Sequence, residues 1–222
     1  MNTTRGRIGR ALSVAAYLGA DVLRSQRFLL PLIVFGAVLA VLFGGDPGAP
    51  PAPWAASVLA IYPTAAWFGL IVANTEDPVQ RTVTMASAGG PGAVAAGSLL
   101  VALVGDVVLA AMAVVWPVVT THYSYPPPLL LHGALAHLAA AATGTAVGLL
   151  CARPLVRRIG WSFCIAVTVV VITAVQPLLP PVGAAARTLT VAEGQLPVLD
   201  VGLGLALACA AAAVIWRVDL RR

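Results

Sequence analysis

The sequence contains no lysine. That absence removes the phosphate-binding loop G-x-x-x-x-G-K-[ST], whose lysine reaches the β- and γ-phosphates, so the chain carries no nucleotide-hydrolysing site of that type. Charge of either sign is scarce: 9% of the residues are charged and 60% are hydrophobic, with a mean hydropathy of +0.95. Soluble domains average about 25% charged residues, so these 222 residues read as one all-α integral membrane domain with no soluble catalytic domain beside it. Cysteine is limited to Cys151, Cys164 and Cys209, without paired spacing. This excludes a disulfide framework or metal knuckle and reads as small buried hydrophobes. No H-E-x-x-H and no adjacent pair of glutamates lies in an apolar segment, and the serines in "AAGSLL" (Ser98) and "GWSF" (Ser162) give no serine-protease signature. An intramembrane enzyme is therefore a rival class without a motif.

What the chain does have is arginine, thirteen in all, at the ends of apolar segments. A nucleic-acid footprint needs a basic face or stripe, so the net charge of +5 reports membrane topology and no nucleic-acid partner. Against the roughly 20 apolar residues that cross a bilayer, six transmembrane helices are expected, at 28–44, 55–73, 93–117, 129–152, 160–179 and 198–216. Arg5, Arg7, Arg10, Arg24 and Arg27 precede the first, Arg81 follows the second, Arg153, Arg157 and Arg158 follow the fourth, and Arg217, Arg221 and Arg222 follow the last. By the positive-inside rule both termini are then cytoplasmic, with twelve of thirteen arginines inside and Arg187 outside. The expected organisation is a cytoplasmic or interfacial segment at 1–27, a six-span domain at 28–216 and a cytoplasmic tail at 217–222. The arginine-only, alanine-rich composition suggests GC-rich codons and a bacterial inner membrane.

Residues 8–28 form an amphipathic stretch, with Ile8, Leu12, Ala15, Leu18 or Gly19, and Val22 or Leu23 on one side. It reads as an N-terminal interfacial helix feeding the first span, with a solvated basic tail as the alternative. A cleaved signal peptide is disfavoured because 27 residues precede the apolar run.

The connection between spans two and three reads "EDPVQRTVTMASAGGPGAV". Asp77 followed by Pro78 marks an N-cap and a proline at the first helical position, Glu76 and Asp77 suit the positive end of the dipole, and "GGPG" ends the helix. Val79, Val83 and Ala86 recur on one side, Gln80, Thr84 and Ser87 on another. Such a short helix is marginal alone in water and requires packing against the bilayer surface, neighbouring spans or a partner.

This layout resembles the permease subunits of ABC transporters of the ABC-2 type, in which six spans follow an interfacial helix and a short cytoplasmic coupling helix lies between spans two and three. The resemblance implies that Glu76, Asp77, Gln80 and Arg81 face a separate ABC ATPase subunit, present in two copies and carrying ATP and Mg. It further implies a second permease, identical or homologous, and export of an amphiphilic, drug-like or lipid-like solute past spans two and five. A non-transporting assembly subunit is the alternative. The chain departs from larger relatives in its small outer loops. In the family the connection before the sixth span dips back into the membrane, and the prolines 177, 180, 181 and 197 within 176–200 fit such a broken element as well as an ordinary loop.

Asp106 is the outstanding ionisable residue inside a span. At roughly 2.5 to 3.5 kcal/mol for a charged aspartate at mid-membrane, it is expected to face protein or water or to be protonated, as a contact between helices or as part of a substrate path. His122, His132 and His137 are expected at the interface; the last two, five residues apart, point to different faces of a helix and do not suggest a metal site. Trp54, Trp116, Trp161, Tyr123 and Tyr125 are read as interface anchors. Gly133, Ala136, Ala140, Gly144 and Gly148, and again Gly202 and Ala206, form small-residue ladders for close helix approach.

Overall fold

The computed structural model describes residues 2–156, 158–174, 176, 180–190 and 195–221, and these contain helices and no strand. Arg157 and Arg222, two of the arginines used for topology, and part of the expected re-entrant connection (177–179 and 191–194) lie outside the described residues. The helices run α1 Asn2–Ser25, α2 Leu29–Phe43, α3 Trp54–Ala73, α4 Pro78–Ser87, α5 Pro91–Thr120, α6 Pro127–Cys151, α7 Ile159–Ala174, α8 Val182–Thr188 and α9 Val198–Asp219. Their boundaries follow local chemistry. Proline occupies the first turn of α4, α5 and α6, where a missing N–H costs nothing. Gly89 and Gly90, at φ +76° and +129°, separate α4 from α5 in conformations that disfavour a β-carbon.

Four helices, α3, α5, α6 and α9, are long and apolar enough to cross a membrane, and α1 with α2, bent by 71° at their junction, raises the number to five. The junction turns at Gln26, φ 55°. The first and fifth expected spans are shorter than the sequence suggested. α2 has 15 residues and α7 has 16, about 22 and 24 Å at 1.5 Å per residue, against a hydrocarbon core of about 30 Å. The chain is thus a multi-pass helical protein with four to five candidate spans.

The centre of the bundle is α6 against α3, and it is backbone on backbone. A β-carbon at Gly144 would lie 2.3 Å from the carbonyl oxygen of Tyr62, and one at Gly148 would lie 2.2 Å from that of Ala66. The expected ladder on α6 is therefore used in full, with Gly133 receiving the Trp54 ring and Ala136 and Ala140 completely buried. The ladder expected on α9 is displaced. Gly202 faces open space, whereas Gly204 would place a β-carbon 2.7 Å from the Ala139 carbonyl oxygen, and the buried positions continue as Ala208, Ala211 and Ile215. Both faces carry small residues, so composition alone left the phase of the helix open.

Trp54 is likewise a core residue and not an interface anchor. It is 1% exposed, with its ring 5.5 Å from that of Tyr125 and packed in a cluster with Phe35, Leu39 and Tyr62. Trp161, by contrast, is 62% exposed. Of the cysteines only Cys151 is buried; Cys164 and Cys209 lie on outward faces. α8 supplies a short buried helix within the connection expected to be re-entrant, with Val182, Ala185, Ala186 and Leu189 shielded by the bundle core. Near that end, Tyr123 donates a 2.6 Å hydrogen bond to Asp46. This bond and the N–H of Gly48 hold the Asp46 carboxyl below its usual range.

Candidate functional site

The stretch that singled itself out in the sequence is a discrete helix, α4, held at the end of the bundle where α3, α6 and α9 terminate. Asp77 caps it as expected: its backbone is extended and its Oδ1 accepts from the N–H groups of Val79 at 2.8 Å and Gln80 at 2.9 Å. Gly90 N–H closes the other end on the Met85 carbonyl at 2.8 Å.

Three further contacts fix its orientation, and they use the residues expected to face a partner. Glu76 is 5% exposed and accepts a hydrogen bond from Thr84 Oγ1 in the second turn of the helix. Gln80 Nε2 donates to the Tyr17 hydroxyl of α1. Arg81 reaches across to the last residue of α9, Asp219, with Nη2 to Oδ2 at 2.9 Å and both side chains largely buried. Within this chain Asp77 is the exposed member of the four, while Glu76 and Arg81 point into the structure.

The face that remains free is apolar. Val79 is 73% exposed and Val83 64%, and Ala86 continues the line. Val79, Val83 and Ala86 share one side as the periodicity expected, and nothing among the described residues covers it.

α1 supports the site from the side. Val14 and Leu18 are buried against α5, where Gly97 admits the Val14 side chain, Val22 packs with Phe68 and Val72 of α3, and Arg10 lies over Gly89. The expected face divides in two: Leu18 and Val22 pack inward, while Ile8 at 58%, Leu12 at 55% and Leu23 at 63% stay exposed. Val14, the residue that completes the buried stripe, was absent from that expectation. A helix with one stripe on protein and a second stripe outward fits the interfacial position expected of it.

Asp106 lies apart from this region. It is 1% exposed and accepts from Thr145 Oγ1 of α6 at 2.8 Å, which makes it a contact between candidate spans; its Oδ2 has no partner among the described residues. His137 is also a core contact, and not the interfacial residue expected. Its Nδ1–H donates to the Gly133 carbonyl at 2.7 Å, leaving Nε2 to accept from Ser57 Oγ at 2.9 Å. This serine–histidine pair escaped the sequence reading because its members are 80 residues apart. Both are 0% exposed, and the pair joins α3 to α6. His132 bonds to Thr188 of α8 at 3.0 Å. Among the described residues no cluster of three or more His, Cys, Asp or Glu side chains can hold a metal. Comparisons with protein-family models, curated proteins and solved structures find no match to this chain.

Proposed function

We propose that the chain is the transmembrane permease subunit of an ATP-driven transporter of the ABC-2 type, with six membrane passes, both termini in the cytoplasm of a bacterial cell and α4 as its coupling helix. The observation that supports this most directly is the form of α4: a capped ten-residue helix, bound to α1 through Gln80 and Tyr17 and to α9 through Arg81 and Asp219, with Val79 and Val83 free. A helix fixed to two others on its inner side and uncovered on its outer side can transmit a push from a partner into the bundle. The docking role assigned by resemblance then passes from the charged quartet to two sets. Val79, Val83 and Asp77 meet the ATPase, while Glu76, Gln80 and Arg81 tie the helix to the spans.

The partner would hold ATP and Mg, and two such assemblies would form the transporter. The α3–α6 contact leaves no room for a solute between those helices, so the pathway would lie between two permease copies, and an apolar export substrate suits its aliphatic walls. The test is purification of the tagged chain from its native host in mild detergent, with mass spectrometry and ATPase assay of the eluate. A stoichiometric P-loop ATPase is expected, lost from Val79→Asp/Val83→Asp while the chain still inserts and stays monodisperse. Recovery of the chain without any ATPase across several detergents would overturn the reading.

A further inference from the structure

Behind α4, on its inner side, is a cavity of about 650 Å³ lined by Ala73, Glu76, Arg81, Met85, Arg153 and Asp219, among others. Its volume falls in the range of small-ligand sites. Its position is set by three helix ends: Ala73 closes α3, Arg153 follows the end of α6 at Cys151, and Asp219 closes α9. Three candidate spans therefore finish at its rim, where a bilayer crossed by these helices would place its headgroups.

The charges in its wall are unevenly committed. Arg81 and Asp219 pair with each other at 2.9 Å. Glu76 uses Oε1 for Thr84, but its Oε2 is buried and has no partner among the described residues, and the same holds for the Nε of Arg81. The guanidinium of Arg153 has no hydrogen bond or ion pair among the described residues. Once the internal pair is set aside, the wall offers one carboxylate seeking a donor and one guanidinium seeking an anion, and these two do not bond to each other. An anionic group alone would leave Glu76 unsatisfied, and a cation alone would leave Arg153 so. A zwitterion whose cationic end carries N–H donors satisfies both.

We propose that this cavity binds the headgroup of an aminophospholipid, phosphatidylethanolamine, with its phosphate on Arg153 and the Nε of Arg81 and its ammonium on Glu76 Oε2. Phosphatidylcholine has no N–H for Glu76, and phosphatidylglycerol has no cation. The lipid acts as a wedge between α4 and the ends of α3, α6 and α9, so α4 is held partly by the membrane itself. This assignment does not rest on the permease reading, since it needs neither ATPase nor transport.

The test is native mass spectrometry of the full chain, stripped of lipid in detergent and titrated with phosphatidylethanolamine, phosphatidylcholine and phosphatidylglycerol of identical acyl chains. Phosphatidylethanolamine should bind about tenfold more tightly than phosphatidylcholine, the difference expected for one charge-assisted bond. Glu76→Gln, which keeps the Oε1 acceptor for Thr84, should abolish that preference, and Arg153→Ala should weaken both lipids together. Arg153→Lys, which keeps the charge, should retain the preference and shows that any loss in Arg153→Ala is not misfolding. Equal binding of the ethanolamine and choline lipids, or a preference that survives Glu76→Gln, overturns the assignment. Competition by soluble glycerophosphoethanolamine at equal concentration would place the ligand in the cytoplasm and overturn the lipid source. A protein that co-purifies with the native chain and is lost from Arg153→Ala, with lipid binding unchanged, would make the cavity a protein pocket instead.

Discussion

A β-carbon at Gly148 would stand 2.2 Å from the Ala66 carbonyl oxygen and 2.8 Å from the Leu70 nitrogen, both backbone atoms that cannot swing aside. Gly148→Ala is therefore expected to lower stability by about 1 to 3 kcal/mol, the usual cost of overpacking. Gly202→Ala, whose β-carbon meets nothing within 4 Å, should change stability by less than about 0.5 kcal/mol. Thermal unfolding of the two variants in one detergent decides this; equal midpoints would remove the backbone contact as the organising feature of α3 and α6. Asp106 of α5 and Thr145 of α6 meet at a different interface, 39 residues apart in the chain. A double-mutant cycle with Asp106→Asn and Thr145→Val should give a coupling of about 0.6 kcal/mol, and no more than about 1.7, as for other polar contacts between membrane helices. Loss of folding in Asp106→Asn alone would mean that the carboxylate does more than bond to Thr145. The acid was legible in the sequence because charge inside a span is rare. Its partner was not, since any of several polar residues on α6 could have faced it until the phase of that helix was known.

At the scale of an element, α4 shows which information is local. Its start, its proline and its glycine stop were legible because capping uses residues within three positions of the helix end, and the Asp77 bonds bear this out. Asp77→Ala should destabilise the helix by about 1 kcal/mol, seen as faster amide exchange across 78–87 with the spans unchanged; unaltered exchange would show that Gln80 and Arg81 alone hold it. The inward turn of Glu76 and Arg81 was not legible. Acids beside a helix start usually face water, and what reverses this here is Thr84 on the same helix together with Asp219, 138 residues away from Arg81. The lengths of α2 and α7 were misjudged for a related reason. Hydropathy counts apolar residues on either side of a helix end, and it passed over the break at Gln26.

For the whole molecule, composition was sufficient for the helical multi-pass class, because it depends on a sum over the chain and not on contacts. Association with a second copy depends on which apolar face is left over. The proposed pathway between two permeases requires α3 and α7, the second and fifth expected spans, to meet their counterparts. Between these helices lies an apolar groove of about 300 Å³, lined by Pro63, Trp67, Phe163, Val167 and Val171 among others. Cys164 stands on the outward side of α7 in line with Val167 and Val171, three and seven residues on, while Cys209 is exposed on α9. If two copies meet along α7, the paired Cys164 residues can approach within the roughly 4.4 to 6.8 Å between α-carbons that a disulfide needs. Mild oxidation of native membranes should then give a dimer on a non-reducing gel that Cys164→Ser abolishes and Cys209→Ser retains. A dimer that depends on Cys209 instead would move the interface to α9, and with it the proposed route of the solute, because a pathway between copies can run only along the face by which they meet.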